Sequence, residues 1–170
     1  MLCYYKVKNI AQFIKTLRTL TKINQMKINL KNGIDKLIFG MKQKDVTAIY
    51  GKPDRNYKDE DDNVIFAYNK LKIRITFYQE EDFKLGYMVA SSPELELFGA
   101  KVIGKKITDV KKELTAKGIS KFTQEEFDTF ENYFNEENWI IFQTEFEEVV
   151  KFEIGAIINQ KDEFDWKFKS

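Results

Sequence analysis

One short pattern occurs twice in this chain, and that repetition constrains the fold more than any other feature of the sequence. Residues 40–54 run from Gly40 through Asp45, Val46, Ile49 and Tyr50 to Gly51, Pro53 and Asp54. A weaker copy begins at Gly104, with Asp109 and Val110 in the places of Asp45 and Val46, Leu114 in that of Tyr50, and Gly118 closing the segment. The offset is 64 (109 − 45), and the strand-like runs that follow superpose at 65. Repetition at a fixed period marks a duplicated supersecondary unit.

Each copy predicts a short helix followed by strands. Residues 42–50 turn Val46, Ile49 and Tyr50 to one side, Gly51 suits a helix C-terminus, and Pro53 forbids continuation. Residues 108–117 predict the second helix, with Thr108 as its cap and Gly118 as its end. Three strands are expected after each helix, over 63–68, 71–78 and 83–89, then over 130–134, 139–144 and 149–155, because apolar residues alternate with period two. In the middle strand of the first copy, Leu71, Ile73, Ile75 and Phe77 point one way and Lys72, Arg74 and Thr76 the other. At offset 65 the pairs Tyr68/Tyr133, Ile75/Ile140, Phe77/Phe142, Leu85/Val150, Tyr87/Phe152 and Val89/Ile154 are apolar or aromatic on both sides.

The expected fold class is α+β: a tandem repeat of a helix plus an antiparallel three-stranded meander, forming a continuous or paired antiparallel sheet with helices on one face. Residues 1–27 form an N-terminal segment, 28–92 the first repeat, and 93–170 the second repeat with a C-terminal tail, in one compact unit. Within the first segment, Ile10, Phe13, Ile14, Leu17 and Leu20 predict an amphipathic helix over 8–22 whose other face carries Lys8, Lys15, Arg18 and Lys22. Residues 28–39 read as a short extended piece with a turn at Asn32 and Gly33. The tail, with Phe164, Trp166 and Phe168, either packs back as a terminal strand or presents Trp166 to a partner.

Composition narrows the chemistry. The chain has one cysteine, Cys3, and no histidine. Intrachain disulfides, Cys/His zinc sites and Ser-His or Cys-His catalysis are thereby excluded. Walker and Rossmann glycine fingerprints are absent, and no cofactor or metal is expected. The acid pairs at 59–62, 80–82, 125–126, 136–137 and 147–148 fall in predicted turns, where water denies them the dry setting that general acid–base work needs. Residues 59–63 lack the glycine and closing glutamate of an EF-hand loop. The chain is read as not an enzyme.

Charge is unevenly placed. Residues 1–52 hold 11 Lys and Arg against two acids, or +9, so the remainder is −8 within a total of +1. Such a total implies neither nucleic acid nor an anionic membrane as partner. Residues 119–149 hold nine acids and one lysine, interleaved with aromatics. This region is the candidate partner-binding surface, with Glu125, Glu126, Asp128, Glu131, Tyr133, Glu136, Glu137 and Trp139 as its residues. Acids would steer a basic protein and aromatic anchors would hold it. The apolar runs are too short to span a membrane, and residues 1–5 lack a signal-like pattern, so a cytoplasmic location is expected.

Residues 40–54 resemble the helix motif of the small outer-membrane assembly lipoproteins and of the beta-lactamase inhibitor protein, which contain such helix-plus-sheet repeats. Over residues 28–168 the chain is similar to cytoplasmic bacterial two-repeat proteins, on the strength of Gly40-Met41, Gly51 with Pro53, Ser92-Pro93, the Gly104 helix and Glu153-Ile154-Gly155 before Trp166. The resemblance implies an immunity protein of a polymorphic-toxin or contact-dependent inhibition system. Its partner would be a cognate toxin, such as a basic nuclease domain, bound and neutralised at its active site or substrate surface. The chain departs from the lipoproteins in lacking a lipobox, and from the secreted inhibitor in lacking cysteine pairs. Two other readings stand beside it: a carboxylate-dependent enzyme, and a structural adaptor that binds an acidic partner through the basic N-terminal helix.

Overall fold

The computed structural model describes residues 26–169. The amphipathic helix expected over 8–22 lies outside them.

Two short helices form where the repeated pattern placed them. α1 spans Gln43–Tyr50 and α2 spans Ile107–Thr115. Gly51 closes α1 with φ 77°, a conformation that glycine adopts without steric penalty. Thr108 does not cap α2; Lys106 occupies that position and Thr108 sits inside the first turn.

Four strands follow each helix, not three. The first set is β4 (Arg55–Lys58), β5 (Val64–Tyr68), β6 (Ile73–Tyr78) and β7 (Lys84–Ala90). The second is β10 (Thr123–Glu126), β11 (Glu131–Asn135), β12 (Ile140–Glu145) and β13 (Glu148–Gly155). They join in one antiparallel sheet of eight, ordered β10-β11-β12-β13-β7-β6-β5-β4. β4 and β10, the strands that apolar alternation could not reveal, form its two edges and are exposed at every position.

The duplication is visible in the register. β13 pairs with β7 so that Val89 faces Glu153, flanked by Ala90 opposite Phe152 and Met88 opposite Ile154. A shift of 64 exchanges these pairs, so an approximate two-fold axis passes between Val89 and Glu153. Bulges at Thr76/Phe77 and Gln143/Thr144 also correspond, at a shift of 67. The offset of 65 expected for the strands is corrected accordingly: the helices keep 64, the last strands share it, and the middle strands take 67. Period-two geometry makes a one-residue error exchange the two faces. Tyr87 and Val89 lie on the outer face, whereas Phe152 and Ile154 are fully buried.

A second sheet completes the core. β1 (Met26–Asn29), β2 (Gly33–Ile34), β3 (Leu37–Ile38), β8 (Leu95–Leu97) and β9 (Ala100–Lys101) are ordered β3-β2-β1-β8-β9, with β1 parallel to β8. Ile28, Ile34, Leu37, Leu95 and Leu97 from this sheet enter the same buried cluster as Ile75, Phe77, Met88, Phe142 and Phe152.

The expected α+β class, helix-plus-three-strand repeats with helices covering one face, is therefore corrected: 42% of the described residues are strand and 16% helical. The reason is dimensional. Helices of 8 and 9 residues are about 12–14 Å long, whereas eight paired strands extend about 34 Å across. α1 buries only Val46 and α2 only Ile107, Val110 and Leu114. The five-stranded sheet supplies much of the remaining cover.

The tail packs back without forming a strand beyond an isolated bridge between Ile158 and Phe164. The amides of Lys167 and Phe168 donate to the Phe39 carbonyl. Phe164 lies between Tyr78 and Trp166, at centroid distances of 5.5 and 4.8 Å. Trp166 rests near Gly40, whose φ of 98° disfavours any other residue and where an added Cβ would lie 3.2 Å from the Trp166 Cβ. The glycine that opens the first repeat motif thus also seats the tail.

Candidate functional site

Antiparallel order brings two acidic turns to the same end of the large sheet. β10 and β12 both run toward it, so the β10–β11 turn at residues 127–130 lies near the β12–β13 turn at Phe146 and Glu147. Seven carboxylates come from these turns and their flanks: Glu125, Glu126, Asp128, Glu131, Glu145, Glu147 and Glu148. Glu131 is half-buried and the other six are exposed.

Aromatic rings stand among these acids. Phe127 and Phe130 stack with centroids 4.5 Å apart, and Phe127 is 49% exposed. Phe146 is 97% exposed. The turn that carries it places both Phe146 (φ 50°) and Glu147 (φ 67°) in the left-handed region. Two-residue hairpin turns of this kind ordinarily use Asn-Gly, because a bulky side chain at positive φ costs energy.

Tyr133 reports how closely the acids converge. Its hydroxyl donates to a Glu131 carboxylate oxygen at 2.6 Å, and the residue is buried. Burial first, then the Glu131 carboxylate, pushes its pKa up to about 12, and Glu126 and Glu147 add to the rise. Acids from both turns therefore act on one ring. From α2, Lys111 places its Nζ 4.9 Å from the Tyr133 centroid and 5.8 Å from that of Phe122. Lys106 reaches Glu147 at 3.9 Å through an exposed contact, which adds little.

The eight residues predicted from sequence do not form one patch. Glu125, Glu126, Asp128 and Glu131 gather at the turn end. Glu136 and Glu137 sit on a 3-10 turn at the opposite end of β11, where Glu137 approaches Lys31 at 3.8 Å. They border an open cleft of about 700 Å³ whose walls include Phe122, Phe134 and Asn135. Tyr133 points into the core. Trp139 is half-buried against Phe134 (5.5 Å) and Tyr87 (6.0 Å), so neither aromatic is a free anchor. The turn end also gathers Phe127, Phe130, Glu145, Phe146, Glu147 and Glu148, which the sequence reading places only within the acidic, aromatic stretch 119–149 and not among its eight site residues. The available signal was Glu145-Phe146-Glu147-Glu148, three acids around one aromatic between two alternating runs.

Among the described residues no group of His, Cys, Asp and Glu is arranged to hold a metal ion. No helix there is long and apolar enough to cross a membrane.

Comparison with known proteins gives no match to any family model or curated protein. Among solved structures, the chain is similar to an extracellular SCP-domain protein from Bacillus anthracis str. Ames, at 15% identity and TM-score 0.44, over 68% of this chain and 43% of that one. It is also similar to a cysteine-rich secretory protein from Staphylococcus aureus subsp. aureus Mu50, at 15% identity and TM-score 0.42, over 68% and 44%. The chain spans less than half the length of either. These neighbours are described as extracellular and secretory, not as immunity proteins. The resemblance to two-repeat immunity proteins finds no support in these comparisons and is withdrawn, together with the toxin-inhibitor reading and the cytoplasmic location drawn with it.

Proposed function

We propose that this chain is a non-catalytic protein-binding module whose acidic turn end receives a basic surface of another protein. One observation carries the reading: seven carboxylates from two adjacent turns surround the Phe127–Phe130 stack and an almost wholly exposed Phe146. Exposed carboxylates speed the encounter with a basic partner, and exposed aromatic rings supply the contact area that holds a complex. The same exposure argues against catalysis by these acids, since six of the seven stand in water and Glu131 is engaged by Tyr133. The alternative based on the basic N-terminal helix concerns residues outside those described.

The experiment is affinity capture from an extract of the native source at physiological salt, comparing the wild type with F146A and with E147K/E148K. Expected is a basic protein held by the wild type, lost from the charge-reversed form, and weakened at least tenfold by F146A. Equal retention by all three forms removes this end of the sheet from the proposal.

A further inference from the structure

The two edges of the eight-stranded sheet carry opposite charge. β4, read Arg55-Asn56-Tyr57-Lys58, is basic; β10, read Thr123-Gln124-Glu125-Glu126, is acidic. Every residue of both is exposed. We propose that copies of this chain associate head to tail, the acidic edge of one pairing with the basic edge of the next. This inference does not rest on the basic-partner reading above.

Three features support that occupant. The first is exclusion. An exposed edge invites pairing, and charged residues are the usual protection against it. Here β10 against β10 sets glutamate near glutamate, and β4 against β4 sets cation near cation. Only the mixed contact is left open.

The second is direction. Every neighbour in the sheet is antiparallel, and eight strands make the two outermost ones antiparallel to each other. A copy displaced along the sheet therefore offers β4 to β10 in antiparallel sense, with its buried face on the same side. The contact uses two different surfaces, so each copy keeps one edge free for the next, and the chain of contacts grows until it closes as a ring or extends as a filament.

The third is register. The Asp59 amide donates to the Asn63 carbonyl and the Phe127 amide to the Phe130 carbonyl. Because bonded pairs alternate along an antiparallel ladder, the backbone groups of Asn56 and Lys58, and those of Gln124 and Glu126, face the open edges. Setting Gln124 opposite Lys58 and Glu126 opposite Asn56 pairs all four. Glu126 then lies diagonal to Lys58 on one face, and Glu125 diagonal to Arg55 on the other, within about 7–8 Å between backbones. Lys58 already meets Asp62 at 2.8 Å, but both side chains are largely exposed, so that contact yields readily.

The test is a charge exchange followed by sedimentation velocity, with circular dichroism to verify that each variant is folded. In low salt the wild type should show a mass that rises with concentration and returns to monomer in 1 M salt. E125K/E126K alone and R55E/K58E alone should remain monomeric, while an equimolar mixture should associate again, since each then offers the edge that the other lacks. E147K/E148K, which lies off the edge, should associate like the wild type. A monomeric wild type at millimolar concentration overturns the proposal. So does association that persists in the single-edge variants, fails to return on mixing, or disappears in E147K/E148K. If an edge pair fails to fold, E126K and R55E are exchanged singly and read by the same criteria.

Discussion

Trp139 lies across Gly155, so closely that a Cβ built on the glycine would meet the indole Cε3 at 2.6 Å. The contact fixes the start of β12 against the end of β13, because the Gly155 amide also donates to the Trp139 carbonyl at 2.9 Å. Gly86 plays a similar part beneath Tyr78, with 2.1 Å to the ring Cε2. Neither glycine has positive φ, so the demand is for space and not for backbone freedom.

Gly155→Ala should therefore destabilise the fold by about 1–3 kcal/mol, the usual cost of overpacking. The cause can be isolated in a double-mutant cycle by urea denaturation, since Trp139→Leu clears the space. In that background Gly155→Ala should cost less than half as much. An equal cost in both backgrounds would show that the indole is not what the new methyl meets.

The turn at Phe146 and Glu147 tests whether a strained conformation is kept for its exposed ring. Replacing the pair by Asn-Gly, in F146N/E147G, matches the left-handed geometry and should stabilise the fold by about 1 kcal/mol. The same change should abolish the capture described for the acidic end. A lower urea midpoint would refute the claim of strain. A higher midpoint with undiminished binding would refute the claim that Phe146 is an anchor.

What was legible in the sequence divides along physical lines. Helices and inner strands emerged within a residue or two, because Val46, Val110 and the alternation at Ile73, Ile75 and Phe77 record burial directly. β4 and β10 were invisible, since a strand exposed on both faces leaves no alternation to read. With them went the two sheet edges. The repeat was legible but its register was not: insertions around the middle strands shift the offset to 67, and apolar residues on both faces let a wrong register look right. Tyr133 and Trp139 were read as surface because they sit among acids in sequence, whereas pleat and packing turn one into the core and press the other onto Gly155. Glu145, Glu147 and Glu148 cluster locally around Phe146, but their place beside the turn at 127–130 follows from the pairing of β11 with β12, a relation between segments that no local pattern contains.

Tyrosine burial gives the fold a definite limit at high pH. Burial raises Tyr78 to about 12, and burial with the Glu131 carboxylate does the same for Tyr133, from a usual value of 10.0. Both groups hold their protons more tightly when folded, so their contribution to stability is complete below pH 10 and is lost as pH rises toward 12. Each should lower the unfolding free energy by up to about 1.4 kcal/mol per pH unit across that window. Unfolding midpoints measured from pH 9 to 12, alongside tyrosinate absorbance, should show no slope from these tyrosines below pH 10 and a decline above it. Tyr133→Phe removes one of the two groups and should make that decline shallower while lowering stability at neutral pH through the lost bond to Glu131. An unchanged slope above pH 10 in Tyr133→Phe would mean that folding does not raise the proton affinity of this ring.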